Sequence, residues 1–418
     1  MSNEITWHCA CGFRNPQNTI FTKEDITMVF IGIDAAKDKH DCHILTSEGE
    51  VLCDHFTFQN SREGFDQLLQ LIRKCTEGTD DKIKAGLEST GHYSANLLSF
   101  LKAQGFEVAV LNPLSVNRLR AAGSLRRCKT DKNDSRYIAQ ILFTWNSNPC
   151  RDSSYHIPHL KSLTRARFRL VKEIQPLKNR YRRLIHLLFP EFQKFFCSIY
   201  ISAALGLMQT LPSAKAIAEC NILTLTRILS ENSRGRFKRT KADALKLLAK
   251  ESIGTYNPDD AFELKLTARR IQFLEAQKLE METEIRSVMA EINSPITTIT
   301  GIGDILGAAI IAEIGDIRCF SNPAKLLAFA GAEPSTYQSG NYTATRTPMV
   351  KHGSRYLRNA LYLAVKAARL HSPSFAAYLA RKKAQGKHEY VAMSHGMKKM
   401  TRIIFAVLSR NSPFTEPI

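Results

Sequence analysis

In the stretch RRCKTDKNDSRYIAQIL, residues 126–142, a run of cations leads into Asp131 and Asp134, three residues apart at the head of a predicted helix. Residues so spaced share a helical face with β-carbons about 5–6 Å apart, so two carboxylates there repel unless a cation lies between them. The pair is therefore one edge of a candidate divalent-cation site. The segment alone also fits helix capping, with Asp131 as N-cap and Asp134 complementing the dipole. Two further acids favour the metal. The apolar run MVFIGIDAA carries Asp34 at the end of a predicted strand, and the strand KIKAGLES ends in Glu88. In an open α/β sheet, ligands bind in the crevice beyond the carboxyl ends of parallel strands. Asp34, Glu88, Asp131 and Asp134 thus converge from three chain segments as an all-oxygen donor set, suited to one or two Mg²⁺ ions.

A hydroxyl stands out in the last third of the chain. Ser339 precedes Gly340 in a polar loop, ahead of a basic helix beginning near Ser354. There it could lie beside a bound phosphate, although a Ser-Gly pair is also ordinary turn chemistry and a hydroxyl needs a base or metal to become a nucleophile. His352 fits either a phosphate contact or a solvated side chain, and no hydrolase-type Ser/His/Asp order is present.

The elements that must position these groups are readable from periodicity. After the strand ending near Asp34, DCHILTS and VLCDHFTF form a predicted hairpin. A helix SREGFDQLLQLIRKC, the strand KIKAGLES, the helix HYSANLLSFLKAQG and the strand EVAVLNP follow. This order predicts a mixed α/β domain over residues 28–150 with a partly parallel sheet. Residues 1–27 show no clear periodicity and stay unassigned, and the folded part is expected to begin at Met28. Residues 151–294 are expected to be helical. Positions 160, 163, 167, 170, 174, 177, 181, 184 and 188 alternate spacings of three and four, and so do 264, 267, 271, 274, 278, 281, 285, 288 and 292. The two helices can pair within the chain as a hairpin or with another copy. Arg167 and Lys278 occupy seam positions, and Pro176 should kink the first helix. Residues 295–418 open on PITTITGIGDILGAAIIAEIGD, whose glycine spacing fits a helix-hairpin-helix-like phosphate contact or a glycine-capped buried helix.

The charge balance points to a polyanionic partner. Lys and Arg number 58 against 39 Asp and Glu, a formal net charge of +19. Between Lys161 and Arg183 there are nine Lys/Arg against Glu173, and between Arg346 and Arg402 thirteen against Glu389, interleaved with tyrosines. Such one-sided runs favour contact with nucleic-acid phosphates. No apolar run is long enough for a membrane span and no signal peptide is evident, so a cytoplasmic protein is expected. The ten cysteines lack the paired spacing of a zinc site and read as reduced thiols; Cys9 and Cys11 could be at most half of a zinc knuckle.

With these residues in place, the chain resembles the DEDD-type transposases of bacterial insertion sequences, the serine-dependent, bridge-RNA-guided recombinase family. FIGIDAAKDKH is similar to the family's first-aspartate motif, GLESTGHY to its glutamate motif and LNPLSVNRLRAAGSLRRCKTDKNDSRYIA to its paired-aspartate motif. TITGIGDILGAAIIAEIGDIRCFSNPAKLLAFAGAEPS and QSGNYTATRTPMVKHGSRYLRNAL resemble its C-terminal transposase domain. The resemblance implies an RNase H-like (RuvC-like) α/β domain with Asp34, Glu88, Asp131 and Asp134 as Mg²⁺ ligands. It further implies a coiled-coil region, and a mostly α-helical C-terminal domain in which Ser339 attacks a DNA phosphodiester. DNA ends and target as substrates, a structured guide RNA and a homo-oligomer, dimer or tetramer, follow from the same resemblance. Three other readings stay open: a Mg²⁺-dependent nuclease or junction resolvase that uses water, a non-catalytic RNA- or DNA-binding protein in which the acids are structural, and a site-specific DNA invertase with the same chemistry. Ser335 also lies near the serine motif, and residues 196–256 resemble nothing in the family pattern.

Overall fold

A computed structural model describes residues 28–77, 82–88, 93–111, 116–119, 131–144, 156–335, 338–339, 342–343 and 347–416, with backbone only at 131, 132, 338, 339, 342 and 343. The chain divides into two compact units, before and after residue 152.

The first unit is built on five strands: β1 (Met28–Ala35), β2 (Lys39–Thr46), β3 (Val51–Gln59), β4 (Lys82–Glu88) and β5 (Glu107–Leu111). Their order in the sheet is β3-β2-β1-β4-β5. The predicted hairpin is present, with β1, β2 and β3 paired antiparallel, while β4 and β5 run parallel to β1. Helices α1 (Arg62–Cys75) and α2 (Ser94–Ala103) cover one face, and α3 (Asp131–Thr144) covers the other. Ser61 caps α1 through its hydroxyl to the Gly64 amide at 3.2 Å, the cap expected of a serine before a helical run.

Strand alternation divides the core. Ile31 and Ile33 of β1 pack with Leu68, Ile72, Leu97 and Leu101 beneath α1 and α2. Phe30 packs with Ile138, Ala139 and Leu142 of α3 on the opposite face. Gly32 lets α3 lie directly on β1: a β-carbon there would stand 2.2 Å from the Ser135 carbonyl oxygen and 2.3 Å from the Ala139 nitrogen. Only glycine permits that approach.

The second unit is helical around a long hairpin. Helix α4 (His156–Leu188) and helix α10 (Pro258–Ile292) contain the two heptad series, each helix about 50 Å long at 1.5 Å per residue. The helix assignment of α4 continues through Pro176. Seam residues Leu160, Leu170, Ile174, Tyr181, Leu184 and Leu188 are buried, as are Leu264, Ile271, Leu274, Ile285 and Val288 of α10. Ion pairs cross the hairpin from Arg167 to Glu282 at 2.6 Å, Lys178 to Glu275 at 2.6 Å and Arg270 to Glu173 at 2.8 Å. From Arg167–Glu282 through Lys178–Glu275 to Arg180–Glu263 the partners' numbers rise on one helix as they fall on the other, so the helices are antiparallel. The heptad seam is therefore closed within one chain. The cation Arg167 is satisfied there by a carboxylate on the facing helix, which is how a charged seam residue fixes register.

Residues 192–250 form a lobe of five short helices: α5 (Phe192–Phe195), α6 (Ser202–Thr210), α7 (Ala214–Glu219), α8 (Ile222–Asn232) and α9 (Arg239–Lys250). Their apolar faces share one core with Tyr181 and Leu184 of α4 and Leu264 and Ile271 of α10. The rest of the unit comprises α11 (Asp304–Ile314), α12 (Pro323–Phe329), the two-residue strands β6 (Gln338–Ser339) and β7 (Tyr342–Thr343), α13 (Arg355–His371), α14 (Pro373–Ala384) and α15 (Glu389–Arg410). Their core also takes in Leu160, Ile285 and Val288 of the hairpin, so the two regions separated by the sequence reading pack as one body.

Candidate active site

The sheet register places two of the four predicted acids on one face, toward the helix that carries the other two. Gly32 and Gly86 both lie against α3, so Asp34 and Glu88, two residues further along their strands, project to the α3 side. The direction of α3 follows from its contacts. The Phe143 ring stands 6.1 Å from Phe30, whereas Ser135 and Ala139 lie above Gly32. Its first turn therefore runs toward the end of β1 where Asp34 stands, and Asp134 is buried there at 3 % exposure. Asp34 and Glu88 are each half-buried. The helix begins at Asp131, whose side chain lies outside the described residues.

One acid of this face escaped the sequence reading. Asp41 of β2 pairs directly with Asp34, which puts both side chains on the same side of the sheet. Asp41 is 2 % exposed and accepts hydrogen bonds from Thr57 Oγ1 at 2.5 Å and His55 Nε2 at 2.8 Å, with Lys39 Nζ at 3.9 Å. Its charge is thus met by its own strand neighbours. The hairpin register was the signal that could have revealed it.

The donor set fits a hard divalent cation in its chemistry. Asp34, Glu88 and Asp134 offer carboxylate oxygen and no sulfur or imidazole, the preference of Mg²⁺ rather than Zn²⁺. Among the described residues no three His, Cys, Asp or Glu side chains form a group able to hold a metal ion. The six cysteines described, Cys42, Cys53, Cys75, Cys197, Cys220 and Cys319, are free thiols, and Cys9 and Cys11 lie outside the described residues.

In the second unit, Ser339 ends β6 and pairs antiparallel with Tyr342 of β7; the serine side chain lies outside the described residues. The stem of this arm is tightly built. The Ser335 amide donates to the Pro348 carbonyl at 2.8 Å, Val350 to Glu333 at 3.0 Å and Lys351 to Gly331 at 3.0 Å. A β-carbon on Gly353 would meet the Phe329 carbonyl oxygen at 2.3 Å, so the stem closes only around glycine. Arg358 Nη1 braces it by donating to the Ala330 carbonyl at 2.9 Å. His352 is exposed beside this stem.

The glycines of the TGIGD segment divide their work. Gly301 has φ +92°, and a β-carbon there would lie 2.5 Å from the Ala368 nitrogen, so it serves close packing against α13. Gly303 is the N-cap residue of α11 and faces open space. The element before it is the single 3₁₀ turn Pro295–Thr298.

Of the nine cations from Lys161 to Arg183, at least five face carboxylates among the described residues. Arg165 binds Glu313, Arg167 binds Glu282, Lys178 binds Glu275, and Arg180 and Arg183 face Glu263. The expectation of a phosphate-binding run therefore narrows to a few members, because much of the run is structural. In the C-terminal run, Glu389 is engaged by Arg369 and Lys383, and Lys399 and Lys382 lie over the Tyr378 ring at 4.9 and 5.8 Å. No described helix is long and apolar enough to cross a membrane.

Comparison with known proteins agrees with this architecture. A DEDD-type IS110 profile described as "Transposase" matches residues 31–190, and one described as "Transposase IS116/IS110/IS902 family" matches residues 293–380. A Streptomyces coelicolor protein named as a mini-circle transposase for IS117 is 26% identical over 406 residues, 94% of this chain and 97% of that protein. An insertion element IS116 protein of Streptomyces clavuligerus is 25% identical over 399 residues, covering 93% and 96%. The pilin gene-inverting protein of Moraxella lacunata is 22% identical over 395 residues, covering 94% and 99%. The profiles coincide with the carboxylate-bearing sheet and with the start of the serine-bearing region, and on these grounds the chain belongs to the IS110 family of transposases.

Proposed function

We propose that this chain is the recombinase of an insertion sequence and that it cuts and rejoins DNA through a phosphoserine link at Ser339. The observation that carries the reading is that Asp34 and Glu88 project to the α3 side of two adjacent parallel strands and Asp134 is buried in the first turn of that helix, in a strongly basic chain of a transposase family. Asp34, Glu88, Asp131 and Asp134 would hold Mg²⁺, which when bound lowers the cost of charge on the attacking and leaving oxygens of phosphoryl transfer. Thr57 and His55 both engage Oδ1 of Asp41, which ties that oxygen to β3.

In the cleavage step, Ser339 Oγ gives up its proton and forms an O–P bond while the bond to the leaving sugar oxygen breaks; that oxygen takes a proton. One phosphodiester replaces another, so rejoining by the reverse step needs no external energy source. The backbone hydrogen bonds between 331–335 and 348–351 and the pairing of Ser339 with Tyr342 support an ordered backbone for the serine. A structured RNA guiding the choice of DNA, and a homo-oligomer, are part of the proposal. Support for self-association comes from the outer side of α10. There Phe262, Leu266 and Phe273 are 63, 45 and 61 % exposed and share one helical stripe opposite the closed seam.

Inversion of a DNA segment would use the same chemistry on different ends, and the pilin gene-inverting relative makes it the second reading. The test is denaturing electrophoresis of the protein after incubation with labelled cleavable DNA and Mg²⁺. A covalent protein–DNA species is expected for wild type and Ser335→Ala and is lost in Ser339→Ala. Cleavage by Ser339→Ala without an adduct would replace the proposal with a water-using nuclease.

A further inference from the structure

We infer that a cleft between α4, α11 and α13 receives one unstacked base of single-stranded DNA, an assignment that rests on the DNA-recombinase reading above. The cleft holds about 330 Å³, the low end of the range for small-ligand sites. Its floor is apolar, formed by Ile305, Leu306 and Ala309 of α11 with Ala360 and Leu363 of α13. Such a slot takes one flat ring and excludes a stacked base pair, so a duplex would have to surrender a base to enter it.

Polar chemistry at the cleft matches a nucleotide. Asn359 lines it, and its carboxamide makes no hydrogen bond among the described residues. A carboxamide offers a donor beside an acceptor, the arrangement that pairs with the edge of a base. The Tyr356 ring forms the rim, with the Arg165 guanidinium 4.7 Å and the Arg355 guanidinium 4.9 Å from its centre and Phe168 edge-on at 5.0 Å. Arg355 also donates to the tyrosine hydroxyl at 2.9 Å, and Arg169 contacts that hydroxyl as well.

The charges at the rim are divided by role. Arg165 is committed to Glu313 and Arg167 to Glu282, so the inner cations are neutralised. Arg169 and Arg355 are exposed and have no carboxylate partner among the described residues. They are the groups left to meet the phosphate of a nucleotide whose base occupies the slot. An apolar slot, a carboxamide and two outer guanidiniums together select an anionic strand with a displaced base over an uncharged ligand.

The experiment uses the full chain and three probes of matched sequence: single-stranded DNA, duplex DNA and single-stranded RNA, with an abasic DNA strand of the same length as the control. Wild type is expected to bind the base-bearing single strand about tenfold more tightly than the abasic strand. Asn359→Ala and Ala309→Phe should each abolish most of that preference and leave duplex affinity unchanged, with thermal melts confirming that both fold. Photocrosslinks from 5-iodouracil in the strand should map to Phe168 or Tyr356. Unchanged preference in the Asn359→Ala variant, or crosslinks confined to other residues, would overturn the site. Tighter binding of the RNA probe would overturn DNA as its occupant. A wild-type protein that binds duplex DNA but shows no preference for bases sinks the cleft alone, whereas one that binds neither form of DNA contradicts the recombinase reading as well.

Discussion

Glu313 of α11, 3 % exposed, receives Nε of Arg165 at 2.6 Å and Nη2 at 3.0 Å, and the Ser354 hydroxyl donates to the same carboxylate at 2.7 Å. Ser354 is at the same time the N-cap of α13, accepting from the Leu357 amide at 3.1 Å. One buried carboxylate therefore joins the long hairpin, the apolar α11 and the segment that leads out of the serine arm. Burial pushes the Glu313 carboxyl upward, but the hydrogen bonds from Arg165 and Ser354 outweigh it and hold the group below the usual carboxylate range.

The sign of the pH dependence follows. A carboxyl depressed in the folded state contributes stability that is fully present above its unfolded value, near 4.3, and is lost as pH falls through the folded value. Glu313→Gln should cost about 3 kcal/mol at neutral pH, the low end for breaking a buried pair because Arg165 remains partly solvated. Denaturant titrations at stepped pH should show the gap to wild type closing below about pH 4. A gap constant down to strongly acid pH would show that the ion pair is not its source.

Gly32 controls the distance between α3 and β1. Gly32→Ala should destabilise the protein by about 1–3 kcal/mol through overpacking. Because the displaced helix carries Asp131 and Asp134, DNA cleavage should fall much further than the melt implies. Parallel measurement of thermal stability and of cleavage at a temperature where the variant remains folded separates the two effects. Cleavage that merely tracks the folded fraction would contradict the role assigned to this contact.

The acids lie in the first unit and the serine arm in the second, which allows an active site shared between copies. Mixing an Asp34→Ala chain with a Ser339→Ala chain should then restore part of the activity that each lacks alone. Failure across all mixing ratios would mean that each chain supplies its own complete site.

Self-association through the outer stripe of α10 is tested by Phe262→Ser together with Phe273→Ser. The double variant should move to a smaller species in sedimentation, with helix content unchanged because neither ring belongs to the intrachain seam. An unaltered sedimentation profile would remove the stripe from the assembly.

These residues also mark what a sequence can and cannot disclose. Asp34 and Glu88 were legible because each ends a short apolar run, and a strand's end points to one place in a parallel sheet. The heptads of α4 and α10 were legible as well, but not their partner, since period alone does not tell a hairpin from an oligomer. The cations between Lys161 and Arg183 read as a phosphate surface because their acids, Glu263, Glu275, Glu282 and Glu313, lie some 80 to 150 residues further along the chain. Asp41 was hidden for a similar reason: its importance lies in a register opposite Asp34. Ser339 looked like a turn residue on spacing, and only family resemblance gave it a chemical role.

The central claim is that carboxylate-held metal and Ser339 act in one strand-exchange reaction. Its most direct test is amplification across the excised-circle junction from cells carrying the gene with its native flanks, for wild type, Asp34→Ala and Ser339→Ala. The account predicts junction product from wild type and none from either variant. Junctions persisting in Ser339→Ala at wild-type levels would contradict it and place the nucleophile elsewhere.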